Sequence, residues 1–239
     1  MSPTATTARL VLEPRFNGPP ATANGGYACG VIARHVDGPA HVSLRRPVPL
    51  GAPLELERHD DGHVTVHEGE TLIAEADPAL PVDLEPPYRP TVEEAREAAS
   101  VRPADWPEAF NTCYVCAPAR ADGLGAVFGP LPSRPELTGA ILHAGPGVPR
   151  KDATLAPEIV WAALDCPSYT SPLWGHAQLS LLAGMRAELL EPVPSGEAMA
   201  VVGWTLDVDG RKHRSATALL AADGRVLARA EALWIRLRG

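Results

Sequence analysis

Asn24-Gly25-Gly26-Tyr27-Ala28-Cys29-Gly30-Val31-Ile32-Ala33-Arg34-His35-Val36 reads as a loop running into a helix, and the chain is organised around it. Upstream, Phe16-Asn17-Gly18-Pro19-Pro20 cannot be helical, because proline lacks a backbone donor and restricts the residue before it. Asn24 is a natural N-cap, and Gly25 and Gly26 let a ligand approach the first free N–H groups. Those amides and the helix dipole favour a developing negative charge. The helix is apolar at Tyr27, Val31, Ile32 and Val36 with Ala and Gly between, so it is expected to be buried on most sides, inside a sheet.

Working outward, the stretch 8–16 reads as a short strand that ends near Pro14, and the helix of 25–36 closes at Asp37-Gly38-Pro39. Strand-like runs follow at 40–46, 53–58, 63–67 and 71–77, with turns at Asp60-Asp61-Gly62 and Glu68-Gly69-Glu70. Residues 78–110 change character: Pro78, Pro81, Pro86, Pro87, Pro90, Pro103 and Pro107 break up a polar segment. Within it Thr91-Val92-Glu93-Glu94 has the capping-box form and opens a helix to about Ser100.

The second half repeats the plan. A strand over 137–143 precedes a helix over 157–165, with Pro157 in its first turn and Cys166-Pro167 at its end. Strands over 182–190, 198–207, 214–221 and 226–237 follow. Pro47-Val48-Pro49-Leu50-Gly51 matches Pro192-Val193-Pro194-Ser195-Gly196, each between the first and second strands after its helix. Two parallel orders of helix and four strands make an α+β duplication.

Composition narrows the partners. A chain of 239 residues with 45% hydrophobic and 21% charged residues can bury a sizeable core. A net charge of −8 argues against nucleic acid, so an anionic ligand needs a local patch such as Arg45-Arg46. Arg211-Lys212-His213-Arg214 and Arg236/Arg238 are the other candidates. No apolar run approaches the roughly 20 residues that span a bilayer, and Met1-Ser2-Pro3-Thr4-Ala5-Thr6-Thr7 has no signal architecture. The expected compartment is the cytoplasm.

The 4 cysteines are too few for a disulfide scaffold in a chain this long. Cys113 and Cys116 have metal or redox spacing, but no second pair completes four ligands, and Cys29 and Cys166 lie on separate helices. The histidines are scattered, with His63 and His67 in strand-like sequence. No metal and no cofactor are expected. GxGxxG, P-loop and GxSxG motifs are absent, which removes the usual support for dinucleotide, nucleotide and serine-hydrolase chemistry.

Asn24-Gly25-Gly26, Trp161-Ala162-Ala163-Leu164-Asp165 and the closing Asp223-Gly224-Arg225-Val226-Leu227-Ala228-Arg229-Ala230-Glu231 together resemble the hotdog-fold acyl-CoA thioesterase superfamily, its PaaI-like group above all. The resemblance implies a double hotdog: repeats over 1–78 and 111–239, a Pro-rich linker over 79–110, and one continuous bent antiparallel sheet around two adjacent helices. In PaaI-like enzymes a His-Gly-Gly motif opens the central helix, and an acidic residue about two turns on acts as nucleophile or general base across the interface. Here the parts are divided. Half one has Gly25-Gly26 with Asn24 in place of His, but Ala33 or Arg34 where the acid belongs; half two keeps Asp165 but has Pro157-Glu158 where the glycines belong.

The resemblance thus implies one composite site, with the Gly25 and Gly26 amides facing Asp165 and a vacant counterpart beside Arg34. It also implies that Asn17 helps hold substrate or water. Asn24 is either a plain N-cap or a substrate contact. Read from the residues, a carboxylate at the C-terminal dipole end of a helix is disfavoured, which points to a role for Asp165. Ser168, Tyr169 and Thr170 could offer a hydroxyl to the same water, and Trp161 and Trp174 line either an acyl tunnel or the core. The expected activity is hydrolysis of an acyl-CoA or acyl-carrier-protein thioester, in a monomer or homodimer. An enoyl-thioester hydratase or dehydratase would need an Asp/His pair that is not apparent. A non-catalytic acyl-thioester binding protein would tolerate loss of Asp165.

Overall fold

The structure, a computed structural model, describes residues 6–101, 106–118, 120–145, 147–174, 176 and 178–238. Residues 1–5 and Pro103, both read above, lie outside the described residues. The first half runs β1 (Thr6–Leu10), α1 (Gly25–Ala33), β2 (Ala40–Leu44), β3 (Leu54–Arg58), β4 (Val64–Glu68) and β5 (Thr71–Pro78). Next comes α2 (Val92–Ser100), and then β6 (Phe128–Leu131), β7 (Arg134–Leu142), β8 (Arg150–Lys151) and β9 (Thr154–Leu155). The chain closes with α3 (Pro157–Asp165), β10 (Ser180–Leu189), β11 (Met199–Asp209), β12 (Lys212–Leu220) and β13 (Val226–Arg236).

One antiparallel sheet of 11 strands holds both halves, in the order β1-β3-β4-β5-β2-β10-β13-β12-β11-β7-β6. The halves meet where β2 pairs with β10, Val42 opposite Met185. Pairing there leaves neither inner strand with an unpaired edge. Alternation along each strand sorts side chains to two faces. On β11, Met199 and Val201 face the main core with both α1 and α3, whereas Ala200, Val202 and Trp204 face a second cluster under α2.

The duplicated motif has a structural reason. The Ala23 N–H donates to the Val48 carbonyl and the Leu155 N–H to the Val193 carbonyl, each at 2.9 Å. Thr22 and Pro49 form an isolated bridge, as do Thr154 and Pro194. In both halves the residue preceding the helix N-cap is thus tied to the same valine, and Val48 and Val193 are buried. Gly51 and Gly196 close the two motifs at φ 71° and 91°, a region that L side chains adopt at a cost.

Three departures from the sequence reading have local causes. α1 ends at Ala33 rather than Val36, because the His35 and Val36 N–H groups bond three residues back and tighten the last turn. The first strand occupies Thr6–Leu10, and Pro14–Phe16 forms a 3₁₀ turn, a proline-started element that alternation alone does not reveal. β6 was not anticipated because it contains Gly129 and Pro130; it is the outermost strand, where a missing donor is tolerated.

The segment after β5 covers the sheet from outside. α2 is held by the expected capping box, with Thr91 Oγ1 accepting from Glu94 N at 3.2 Å and Glu94 Oε2 accepting from Thr91 N at 2.9 Å. Its Ala95 and Ala98 are fully buried against Leu131 and Leu137. The paired Gly129 and Gly139 make the room: a Cβ at either would lie within 2.8 Å of Ala98 atoms.

Candidate active site

α1 and α3 pack against each other at very short range, and glycine is what permits it. A Cβ on Gly26 would lie 2.5 Å from Asp165 Cβ and 2.7 Å from the Trp161 carbonyl oxygen. A Cβ on Gly30 would lie 2.7 Å from Glu158 Cα and 2.9 Å from Trp161 Cβ. The helices have nine residues each, with N-caps Asn24 and Ala156. Position by position, Gly26 therefore corresponds to Glu158 and Ala33 to Asp165.

That correspondence leaves one junction with functional groups. Asp165, last residue of α3, accepts on Oδ2 from the Gly26 N–H at 2.9 Å and from Asn24 Nδ2 at 2.7 Å. Asn24 also caps α1, its Oδ1 accepting from the Tyr27 N–H at 2.9 Å. Of the two roles weighed from sequence the N-cap is made, and the amide's second partner is the Asp165 carboxylate. Asp165 Oδ1 is buried and has no hydrogen-bond partner among the described residues. No hydrogen bond to the Gly25 N–H occurs among the described residues.

Burial is the main influence on Asp165 and pushes its pKa up to about 7. The Gly26 N–H pulls it down, Cys113 raises it, and Asn24 lowers it again. Cys113, Cys116 and Cys166 lie close by, all free and buried. The Cys113 and Cys166 sulfurs are 3.7 Å apart. Cys113 is held well below the ordinary thiol range by bonds from the Cys116 and Cys166 thiols and from backbone N–H groups, against the effect of burial. Cys166 joining the Cys113/Cys116 pair is a contact that its place on a separate helix concealed.

A cavity of about 330 Å³ opens beside this junction. Asn24, Gly25, Asp165 and Tyr169 border it, with Phe110, Leu182 and Trp234 supplying apolar wall. Its size is at the lower end for small-molecule pockets, roughly 300–1,000 Å³. Arg45 and Arg46 lie on its border as well. Arg45 pairs with Glu75, whereas Arg46 is exposed and makes no ion pair among the described residues.

The other sequence candidates sit elsewhere. Asn17 does not border the cavity: its Nδ2 donates to the Gly18 and Thr112 carbonyls, and its Oδ1 accepts from Arg120. Ser168 Oγ donates to the Asp165 carbonyl oxygen at 2.6 Å and accepts from Trp234 Nε1 at 2.8 Å. Thr170 Oγ1 bonds Thr205 Oγ1. Trp161 is packed over Gly30, and Trp174 Nε1 donates to the Tyr169 carbonyl at 2.9 Å. Arg34 is exposed at the C-cap of α1 and contacts His35. Phe110, Leu182 and Trp234 were missed, because an apolar residue on a strand or turn carries no signal that separates cavity wall from core.

No family model matches the chain, and no curated protein matches it. Solved structures do. A protein from Novosphingobium aromaticivorans assigned as a thioesterase is similar at a TM-score of 0.62 and 14% identity, with 98% of this chain and 96% of that one covered. A Lactobacillus plantarum protein assigned as an oleoyl thioesterase aligns at 0.59 and 8% identity, over 100% and 98% of the two chains. A conserved protein of unknown function with a hot dog fold from Alicyclobacillus acidocaldarius aligns at 0.52 and 12%, over 98% and 94%. At these identities the likeness establishes the architecture, and this chain has a hotdog fold. No helix among the described residues is long and apolar enough to cross a membrane.

Proposed function

We propose that this hotdog chain hydrolyses an acyl thioester, carried by CoA or an acyl-carrier protein, at one composite site. The reading includes a double hotdog with repeats over 1–78 and 111–239 and a linker over 79–110, in the cytoplasm, as a monomer or homodimer. The observation that carries it is the Asp165 carboxylate, held by the Gly26 N–H of the other helix on the wall of a largely apolar cavity. Thioesterase assignments among the structural neighbours agree with it.

The chemistry follows from which atoms are already engaged. Oδ2 of Asp165 is fixed by two donors, and Oδ1 is left to take a proton from water or to attack the carbonyl carbon itself. Either attack makes an oxyanion. The Gly26 N–H is occupied by Asp165, so the Gly25 N–H at the helix start is the donor for that oxyanion. With water as the nucleophile, collapse breaks the C–S bond and releases a carboxylic acid and the carrier thiol. With Asp165 as the nucleophile it releases the thiol and leaves an acyl-aspartyl anhydride, which water then hydrolyses to the acid and the free carboxylate. Arg46 at the cavity border meets the phosphates of the carrier and offsets the chain's net charge of −8.

The test is a hydrolysis screen over acyl-CoAs of graded chain length, with detection of free thiol, on the wild type and Asp165→Asn. Thiol release that depends on Asp165 is expected. Tight acyl-CoA binding without thiol release would select a binding protein. Consumption of an enoyl thioester with the thioester intact would select a hydratase.

A further inference from the structure

The segment Cys113-Tyr114-Val115-Cys116 is fastened on both sides. The Tyr114 N–H donates to the Asn17 carbonyl at 2.7 Å, and the Leu124 and Ala126 N–H groups donate to Tyr114 and Val115 carbonyls at 2.8 Å. This rigid turn delivers two thiols to a third, Cys166, which stands 53 positions beyond Cys113 at the end of α3. All three sulfurs lie within 4.8 Å of one another, and all three residues are buried. None forms a disulfide. We propose that Cys113, Cys116 and Cys166 are a binding site for a thiophilic divalent ion, zinc(II) first among them.

Three features fit. With Zn–S bonds of about 2.3 Å, tetrahedral geometry places sulfurs about 3.8 Å apart; Cys113 and Cys166 are already at 3.7 Å. Backbone and side-chain donors are aimed at the sulfurs: the Val115 N–H reaches Cys113 Sγ at 3.4 Å, and Asn24 Nδ2 lies 4.0 and 3.9 Å from Cys113 and Cys166 Sγ. Such donors offset the charge of thiolates that a bound cation neutralises only in part. Finally, soft sulfur donors select zinc over magnesium or calcium.

Three protein ligands leave one coordination position for water or another exogenous donor. Cys113 and Cys166 border the cavity and Cys116 does not, so that position lies on the cavity side. The ion would bind the 113–116 turn to the end of α3 and thereby fix the backbone that carries Asp165. The inference stands apart from the hydrolysis reading, since Asp165 is not among the three ligands.

The experiment uses tag-free, reduced protein stripped with a chelator and titrated without oxygen, first with cobalt(II) and then with zinc(II). One equivalent of cobalt should bind with thiolate-to-metal charge-transfer absorption, zinc should displace it, and the thermal midpoint should rise with zinc concentration. Cys166→Ser should weaken zinc by more than the roughly 10–100-fold typical of an outer partner, while Cys29→Ser, outside the cluster, should leave binding intact. Reduced wild-type protein that takes up neither metal overturns the proposal, whatever the variants do. Uptake that survives Cys166→Ser in a folded variant, verified by circular dichroism, overturns it too.

Discussion

Gly26 and Asp165 touch across the two central helices: the amide at the start of α1 donates to the carboxylate at the end of α3 at 2.9 Å. The contact joins the positive end of one helix dipole to a charge that its own helix end disfavours. Replacing Asp165 with Asn keeps an acceptor for both donors but removes the basic oxygen. Hydrolysis should fall about 10²-fold or more, read as kcat/KM on the best acyl thioester of the screen. Arg34→Ala, at the exposed C-cap, should stay within twofold or so on the same assay, as expected for a surface change.

Gly26→Ala reverses the usual sign for its type. On an exposed helix, Ala in place of Gly stabilises by about 1 kcal/mol. Here the new methyl would lie 2.5 Å from Asp165 Cβ and 2.7 Å from a backbone oxygen. A net loss of about 1–3 kcal/mol is expected from overpacking, seen as a lower denaturant midpoint, and activity should drop as Asp165 is displaced. A stabilised variant would contradict the packing described.

Asn24 has two bonds that one substitution can separate. Asn24→Ser keeps an oxygen to cap Tyr27 N, so the cap itself should change by only a few tenths of a kcal/mol. It removes the Nδ2 donor to Asp165 Oδ2. Lower turnover with a loss of about 1–3 kcal/mol from the missing donor to a buried carboxylate is the expected outcome, and Asn24→Ala should lose about 1 kcal/mol more with the cap.

The pH dependence of stability follows from burial of Asp165. Its folded pKa, about 7, is raised above the ordinary 3.8, so the fold binds the proton more tightly than the unfolded chain does. Its favourable contribution is complete below about pH 4 and is lost as pH rises to about 7, on the order of 4 kcal/mol at most. In metal-free protein, Asp165→Asn should therefore be more stable than the wild type at pH 8, with the difference shrinking towards pH 4. Denaturant titrations at both pH values measure it.

Arg46 supplies a different signature. Arg46→Ala should raise KM for acyl-CoA severalfold and leave kcat little changed, because phosphate contacts far from the carbonyl bind ground state and transition state alike. The effect should shrink as salt is added.

The juxtaposition of Asp165 with Gly26 was legible because the family resemblance puts the glycines in one half and the acid in the other, so that its pattern is completed only by pairing α1 with α3. The proline-valine-proline motif was legible for a mechanical reason: Val48 and Val193 each anchor the chain just ahead of a helix. Asn17 and Ser168 were harder. Both are polar and near the site in sequence, yet their hydrogen bonds are committed to Thr112, Arg120, Trp234 and the Asp165 backbone. Nothing in residue type distinguishes a hydroxyl that serves the fold from one that serves a ligand. Cys166 was hidden by distance along the chain, and β6 by its proline.

The two helix-and-sheet halves that meet at β2 and β10 belong to one polypeptide, and this changes what mutation can do. In an assembly of two identical chains, a substitution at the glycine position appears on both sides of the dyad at once, and both junctions suffer together. Here Glu158 stands where Gly26 has its counterpart, and Ala33 where Asp165 has its own. In a single chain the two helix junctions are encoded separately, so a substitution at Gly26 or Asp165 leaves Glu158 and Ala33 as they are, and each junction answers to mutation alone.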